Sequence, residues 1–214
     1  MIALVDVNNF YVSCERLFNP KFLNKPVIVL SNNDGCIISR SNEAKLLGIK
    51  MGTPLFKIKD IIKSYDITVL SSNYALYGDL SNRVMALLRS YSNQQEVYSI
   101  DECFLDLSGT QELVTLGQSI HKQLWRYLGM PVCVGIAPTK TLAKLANFCA
   151  KKQPKWSGVF DLSGISNTRI ESIMRDINVV EVWGVGSKTA NKLKLIGVNS
   201  VLDLKKSDAI YIKK

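Results

Sequence analysis

Two adjacent acidic residues, Asp101 and Glu102, are the strongest candidates for chemistry, because they lie between two strand-like segments. Residues 96–98 and 103–107 are rich in the Val, Tyr, Phe and Leu side chains that strands favour. Two ionised carboxylates about 4 Å apart repel by about 4 kcal/mol at an effective dielectric constant near 20, so holding them together requires a compensating charge. Mg²⁺ supplies one, since it binds carboxylate oxygens and completes its coordination with water and phosphates. The pair predicts the metal half of a phosphoryl-transfer site, with an exposed acidic turn as the alternative.

A third acid, Asp6, lies near the end of residues 2–7, an apolar run typical of a buried strand. Residues 10–17 predict a short helix, so Asp6 falls at a strand-to-helix junction, where backbone N–H groups could also face a phosphate. Such a junction suits a metal ligand. Phe10 and Tyr11 begin that helix, and their spacing alone favours two core aromatic rings.

Composition excludes several classes of protein. The chain has 214 residues and is 47% hydrophobic, enough for one large domain or two smaller ones. No apolar run reaches the roughly 18 residues of a membrane span, and the first charge is acidic, unlike the start of a signal peptide. Five scattered cysteines and a single histidine argue against structural zinc and disulfides. We therefore expect a cytosolic protein that is not associated with a membrane.

The positive charge is concentrated in the last third of the chain. Residues 139–214 contain 14 Lys and Arg against 6 Asp and Glu, whereas the preceding residues are nearly balanced and the whole chain carries +9. This distribution predicts a polyanionic partner such as nucleic acid, with a merely soluble basic surface as the alternative.

The remaining pattern predicts a mixed fold. Further strands are expected at 26–30 and 132–136, and helices at 41–47, 77–91, 112–128 and 139–151. This order is typical of an α+β sandwich, with helices on one face of a mainly antiparallel sheet. After residue 158 the pattern favours short helical segments in place of strands.

A glycine-rich turn lies within the basic third. Residues 182–193 resemble a helix-hairpin-helix, whose turn binds nucleic-acid phosphates through backbone amides without reading bases. The predicted DNA contacts are Gly184, Gly186, Ser187 and Lys188. An ordinary helix-helix turn, with glycine chosen for positive φ, is the alternative.

Together these motifs resemble those of the Y-family translesion DNA polymerases. The matching segments are residues 6–11, 35–45, 98–102, and 135–137 leading into Lys140, Lys144 and Lys151. Their order and spacing along nearly the whole chain make the resemblance far more specific than any single motif. Within the family, the UmuC type, the catalytic subunit of bacterial DNA polymerase V, is most similar at residues 30–36, 42–45 and 71–74.

The resemblance implies a two-metal site. Asp6, Asp101 and Glu102 match the family's metal-binding carboxylates, with the backbone carbonyl of Val7 as a further ligand. Two Mg²⁺ ions would lower the pKa of the primer 3′-hydroxyl and stabilise the pyrophosphate leaving group.

The nucleotide site is likewise implied by resemblance. Tyr11 matches the steric gate that excludes a ribose 2′-OH, and Phe10 would lie beside it under the incoming sugar. Ser39, Lys45 and Lys151 match positions that contact the triphosphate. Asn42 stands where other branches have Tyr, which removes one hydrogen bond donor.

The resemblance also implies a polymerase palm at 1–9 and 72–157, small fingers at 10–71 and a helix-hairpin-helix thumb at 158–214, with the little finger absent. The implied function is low-fidelity translesion synthesis in the SOS response, with primer-template DNA and deoxynucleotides as substrates. A UmuD-type subunit and a recombinase filament are the implied protein partners. Sliding-clamp binding is not expected without the family's carboxy-terminal region.

Two other functions remain open at this point. One is a DNA-binding or regulatory remnant that occupies primer ends or the partner subunit without extending DNA. The other is a palm-type nucleotidyl cyclase, which shares paired acids and two metals but has no use for a helix-hairpin-helix.

Overall fold

The computed structural model describes residues 1–33 and 35–212. Its strands are β1 (Ile2–Val7), β2 (Val27–Leu30), β3 (Ile37–Arg40), β4 (Thr68–Ser71), β5 (Gln95–Val97), β6 (Glu102–Asp106), β7 (Val132–Ala137) and β8 (Val159–Asp161). Its helices are α1 (Phe10–Phe18), α2 (Asn42–Leu46), α3 (Lys59–Ser64), α4 (Tyr74–Leu88), α5 (Leu113–Leu128), α6 (Lys140–Lys152), α7 (Asn167–Asp176), α8 (Ser187–Leu195), α9 (Val201–Lys206) and α10 (Ala209–Ile212).

A five-stranded sheet has the strand order β5-β6-β1-β7-β8. Backbone bonds join Val7 N to Asp101 O (2.9 Å) and Leu107 N to Met1 O (2.7 Å), so β1 and β6 run antiparallel. The short connection from β5 to β6 makes that pair a hairpin as well. β7 and β8 pair in parallel. The predicted α+β class and the largely antiparallel sheet are therefore confirmed, with one parallel edge pair.

Helices cover both faces of this sheet at β7, where the sequence favoured one face. A Cβ on Gly117 of α5 would lie 2.6 Å from Val159 Cγ1 and 3.4 Å from Ile136 Cδ1. A Cβ on Gly135 would lie 2.6 Å from Asn147 Cα of α6. Neighbouring strand residues point to opposite faces, so α5 and α6 lie on opposite sides of β7. The reason is that β7 is buried at all six positions and needs cover on both sides.

The chain divides into two compact units. The first comprises residues 1–5, 104–121 and 133–214, and the second comprises residues 6–103 and 122–132. The predicted fingers, 10–71, fall within the second unit together with part of the predicted palm. The division into palm, fingers and thumb is finer than this split and stays a prediction.

The second unit contains a three-stranded sheet of order β3-β2-β4. β2 pairs antiparallel with β3 and parallel with β4, and all four of its residues are buried. The buried Ser41 hydroxyl accepts hydrogen bonds from Ala44 N (3.2 Å) and Val27 N (3.1 Å), which caps α2 and fixes it to the start of β2.

In the first unit, short helices pack around small apolar clusters. Val179, Ala190, Leu193 and Val198 form one such cluster around α8. A capping box joins Ser200 and Asp203 at the start of α9. The longest helix described, α5, has 16 residues, and none in the described part of the chain has the length and apolar character needed to cross a membrane.

The prediction that strands cease after residue 158 is wrong. Residues 159–161 form β8, and Val159 pairs with Val134. Three residues are too few to show the alternation that identifies a strand. Residues 31–35 are turn-forming types and predict a loop before β3. Asp34 lies outside the described residues, and Gly35 beside it has φ +65°.

Candidate active site

The end of β1 meets the start of β6, which brings the first predicted acid to the other two. The 2.9 Å bond from Val7 N to Asp101 O fixes this junction, and Asn8 N donates to Pro131 O at 2.8 Å. Asp6, Asp101 and Glu102 are all partly exposed. Their backbones therefore share one accessible edge of the second unit.

Ser99 organises the turn that carries the paired acids. Its hydroxyl donates to Asp101 Oδ1 at 2.7 Å and accepts from the backbone N–H groups of Asp101 (3.3 Å) and Glu102 (3.1 Å). The turn thus orients one carboxylate and presents the next residue at the first position of β6. Sequence reasoning quoted Ser99 in the motif but gave it no role.

The side chains of the three acids do not close into a ligand set. Across residues 1–33 and 35–212, no three His, Cys, Asp or Glu side chains form a group that could hold a metal ion. Carboxylates at ligand distance from one another repel, so their convergence depends on a cation's charge. The donors available at this edge are all oxygens, which suits a hard divalent ion such as Mg²⁺. The role of Asp6, Val7, Asp101 and Glu102 as ligands stays a prediction.

An aromatic cluster lies beside the acids. The Tyr11 ring stacks on Tyr77 with centroids 4.5 Å apart and planes inclined by 27°, and Tyr74 meets Tyr11 edge-on at 6.2 Å. The pKa of Tyr11 is raised, mainly by burial and further by the nearby Tyr74 and the Asp101 carboxylate. Tyr11 therefore lies within electrostatic range of the predicted metal ligands.

Phe10 and Tyr11 differ in exposure although they are neighbours in α1. Phe10 is only 3% exposed, with its ring centroid 6.5 Å from that of Tyr77, so the core interpretation describes it. Tyr11 is partly exposed, as a ring that meets a ligand must be. A contact between Phe10 and a nucleotide stays a prediction.

Asn9 links the end of β1 to the predicted phosphate-binding lysine. It adopts a left-handed conformation (φ 50°) before α1. Its amide donates to Asn42 Oδ1 at 3.0 Å, and its carbonyl oxygen accepts from Lys45 Nζ. The network holds the Lys45 ammonium next to the β1–α1 junction, in the same unit as the acids.

Ser39 and Lys151 are the other two residues that are predicted to contact the triphosphate. Ser39 is 4% exposed, and its hydroxyl accepts from Val12 N at 3.4 Å. Lys151 is an exposed residue of α6 in the first unit. Their nucleotide contacts stay predictions.

The predicted DNA-binding turn has open space beside both of its glycines. Gly184 has φ +88°, and a Cβ on Gly184 or Gly186 would meet nothing within 4 Å. Ser187 and Lys188 begin α8, whose first N–H groups have no partner within the helix by construction. The first helix of the predicted helix-hairpin-helix is only a 3-10 turn, Val179–Glu181.

Sequence reasoning missed residues that shape this site, among them Tyr77, Glu15 and Asn9. The Tyr77 hydroxyl donates to Glu15 Oε1 at 2.7 Å. Tyr77 was predicted to begin a helix, but nothing in the spacing indicated its contact with α1, 62 residues earlier. The only available signal for Glu15 was its position four residues after Tyr11, on the same face of α1.

Solved structures of the same fold include an insertion ternary complex of Dbh DNA polymerase. It is 28% identical to this chain with a TM-score of 0.83, and the match covers all of this chain and 62% of that one. The architecture is therefore that of the palm and fingers of Y-family DNA polymerases.

The chain belongs to the impB/mucB/samB family, whose model matches residues 5–147. Protein ImpB of Salmonella typhimurium is 47% identical over 217 residues, and Protein UmuC of Salmonella typhimurium is 47% identical over 218 residues. Each match covers all of this chain and 51% of the relative, so the chain spans about half the length of these proteins. The resemblance inferred from the motifs is confirmed.

Proposed function

We propose that this chain carries the catalytic core of a UmuC-type translesion DNA polymerase, which adds deoxynucleotides to a primer 3′-OH opposite a template. The observation that supports this most directly is the hydrogen bond from Val7 N to Asp101 O, which brings Asp6 beside Asp101 and Glu102 at an accessible edge near Tyr11. The 47% identity to Protein UmuC over the whole chain also supports the proposal.

Divalent metal binding is part of the proposal. Asp6, Asp101, Glu102 and the Val7 carbonyl would hold two Mg²⁺ ions, which when bound acidify the primer 3′-hydroxyl and offset charge on the leaving pyrophosphate. The chain's own part is to orient the ligands. Ser99 fixes one oxygen of Asp101, and the β1–β6 backbone bond fixes the spacing of the strands.

The nucleotide would lie between the acids and the Asn9–Lys45 pair. Lys45 would meet the triphosphate, with Ser39 and Lys151 as further contacts, and the ammonium charges would offset the charge on the phosphates. Tyr11 would face the sugar and exclude a 2′-hydroxyl, and Phe10, whose ring lies next to that of Tyr11, would lie under the same sugar.

Duplex DNA would bind across the basic carboxy-terminal third. Gly184, Gly186, Ser187 and Lys188 offer an open turn and a lysine to a phosphate backbone. We further propose cytosolic action in the SOS response, with a UmuD-type subunit and a recombinase filament as partners. These proposals rest on family resemblance.

Primer extension tests the proposed function. In Mg²⁺ and low salt, the 214-residue chain is expected to add deoxynucleotides to a primer on a template, and Asp101→Asn is expected to reduce the rate by roughly 100-fold or more. Asp106→Asn is a matched control, because Asp106 accepts from Ser108 Oγ at 2.6 Å much as Asp101 accepts from Ser99. Its rate should stay within about threefold of the unsubstituted chain.

Three results would count against the proposal. Equal rates for the unsubstituted chain and Asp101→Asn would exclude Asp101 from the chemistry. DNA binding without incorporation would support the regulatory remnant, and a cyclic nucleotide product would support the cyclase.

A further inference from the structure

Tyr77 is a fully buried tyrosine whose hydroxyl has a specific partner. It lies on α4 with 0% exposure, and its hydroxyl donates to Glu15 Oε1 of α1 at 2.7 Å. Burial, and after it the bond to Glu15, raise the pKa of Tyr77, which keeps the hydroxyl protonated as a donor. A buried ring needed only for packing would be served by Phe, so the hydroxyl and its partner require an explanation.

The same Tyr77 ring supports Tyr11. The two rings stack at 4.5 Å, while Glu15 follows Tyr11 by four residues on the same face of α1. One α4 side chain therefore contacts two residues a single helical turn apart. Its ring face meets Tyr11, and its hydroxyl is held at the far end by Glu15.

Further ring contacts leave Tyr77 little freedom. Tyr74 meets the Tyr77 ring edge-on at 6.1 Å with planes inclined by 82°, and Phe10 approaches it at 6.5 Å. Tilting Tyr77 away from Tyr11 would break the hydroxyl–carboxylate bond, which is stronger than a bond between neutral groups. The orientation of the Tyr11 ring is thereby coupled to the Glu15 carboxylate.

We infer that Glu15 and Tyr77 are positioning residues that hold the Tyr11 ring in place and so set the selectivity of the site against ribonucleotides. The inference rests on the proposed function, since it needs Tyr11 to face the sugar of the incoming nucleotide. Neither residue touches the reacting atoms. Their effect is on the ratio of deoxynucleotide to ribonucleotide use, because that ratio depends on where the Tyr11 ring lies.

The test measures kcat/KM for dATP and for ATP on one primer-template with the 214-residue chain. Tyr77→Phe and Glu15→Leu are each expected to reduce the dATP preference by roughly 3- to 30-fold. Glu15→Gln keeps an acceptor oxygen for the tyrosine and should stay within about twofold of the unsubstituted chain. Because the two residues act as one unit, the Glu15→Leu/Tyr77→Phe double variant should lose no more than the stronger single one.

Matched measurements separate positioning from stability. Tyr65→Phe removes a hydroxyl from a tyrosine that is 56% exposed and should leave the preference unchanged. Equilibrium binding of dATP and ATP to the chain on a dideoxy-terminated primer gives the same ratio without turnover. Near-UV circular dichroism should show the tyrosine signal change in Glu15→Leu but not in Glu15→Gln, since both variants keep every tyrosine.

Tyr11→Ala distinguishes the two possible failures. If Tyr11→Ala loses the dATP preference while Tyr77→Phe and Glu15→Leu keep it, even with a lower unfolding midpoint, the positioning role is overturned and the proposed function stands. If the chain binds neither nucleotide, the proposed function fails. If Tyr11→Ala discriminates as before, Tyr11 does not face the sugar, and in either case this inference fails as well.

Discussion

At the scale of single residues, the decisive difference is between two neighbouring aromatic side chains. Phe10 is buried in the core, whereas Tyr11 is partly exposed with Tyr77 behind it and Asp101 nearby. A helix turns by about 100° per residue, so neighbours on α1 face different surroundings. Of these two neighbours, Tyr11 is the one whose ring is partly exposed.

Tyr11→Ala is predicted to admit ribonucleotides. Removing the ring opens space for a 2′-hydroxyl, so the preference for deoxynucleotides should fall by roughly 100-fold or more, given that steric exclusion is worth several kcal/mol. Mn²⁺ binding should be unchanged, because the acids are untouched. Competition between dATP and ATP in primer extension measures the preference for deoxynucleotides. An unchanged preference in Tyr11→Ala would show that Tyr11 does not face the sugar.

At the scale of elements, Asn147 and Gly135 hold α6 against the five-stranded sheet. The Asn147 amide of α6 donates to Cys133 O (2.8 Å) and Leu4 O (3.3 Å), and the helix backbone lies directly against Gly135. Only glycine allows this approach, since a Cβ would overlap Asn147 and Ala143 backbone atoms. The Asn147 hydrogen bonds and the absence of a side chain at Gly135 together fix the helix that carries Lys151.

Gly135→Ala is predicted to destabilise the fold by about 3 kcal/mol or more, because backbone atoms cannot move aside as a side chain can. Gly78→Ala in α4 is the matched control. A Cβ there meets nothing within 4 Å, so helix propensity should make it neutral or stabilising by up to about 1 kcal/mol. Urea unfolding measures both, and equal stability of the two variants would contradict the packing described.

The cap of α9 predicts a pH-dependent contribution to stability. Hydrogen bonds from the Ser200 backbone and hydroxyl, and then from the Asn199 backbone, lower the pKa of Asp203. A carboxylate with a lowered folded-state pKa stabilises the fold above its unfolded value of roughly 3.9 and loses that contribution as pH falls through the folded value.

Asp203→Asn should therefore lower the thermal unfolding midpoint at pH 7, with the difference shrinking below about pH 4. Asp208→Asn, an acid outside the capping box, is the control and should show little change at either pH. A difference for Asp203→Asn that stayed constant from pH 7 to pH 3 would exclude the charged cap as its cause.

The elements were predictable where a periodic pattern was long enough. α4, α5 and α6 each carry several turns of apolar spacing, and all three form within a few residues of the predicted bounds. β8 and the contact of Tyr77 with α1 could not be predicted, because one is three residues long and the other joins distant parts of the chain. The three acids could be predicted because they lie at the ends of strands. The turn in which Ser99 orients Asp101 could not be predicted.

At the scale of the whole molecule, the uneven charge distribution is the main feature. Residues 139–214 carry most of the +9 charge, and the open Gly184–Gly186 turn lies within that part of the sequence. Charges that neutralise phosphates release counterions, so the affinity for DNA should fall steeply with salt.

Lys188→Gln is predicted to weaken binding to duplexes of any sequence by a similar factor and to reduce the slope of log K against log salt by about 1. Lys57→Gln, in the nearly balanced part of the chain, is the control. Fluorescence anisotropy from 50 to 200 mM salt, a range over which phosphate contacts weaken strongly, measures both slopes. An unchanged slope for Lys188→Gln would show that Lys188 does not contact the DNA phosphates.

We propose that Asp6, Asp101 and Glu102 jointly bind divalent metal beside a nucleotide. Mn²⁺ titration followed by electron paramagnetic resonance, with dATP and a dideoxy-terminated primer-template, measures this directly. We predict two bound Mn²⁺ ions in the unsubstituted chain and in Asp106→Asn, and a loss of one or both in Asp6→Asn and Asp101→Asn. Full Mn²⁺ binding in those two variants would contradict the account.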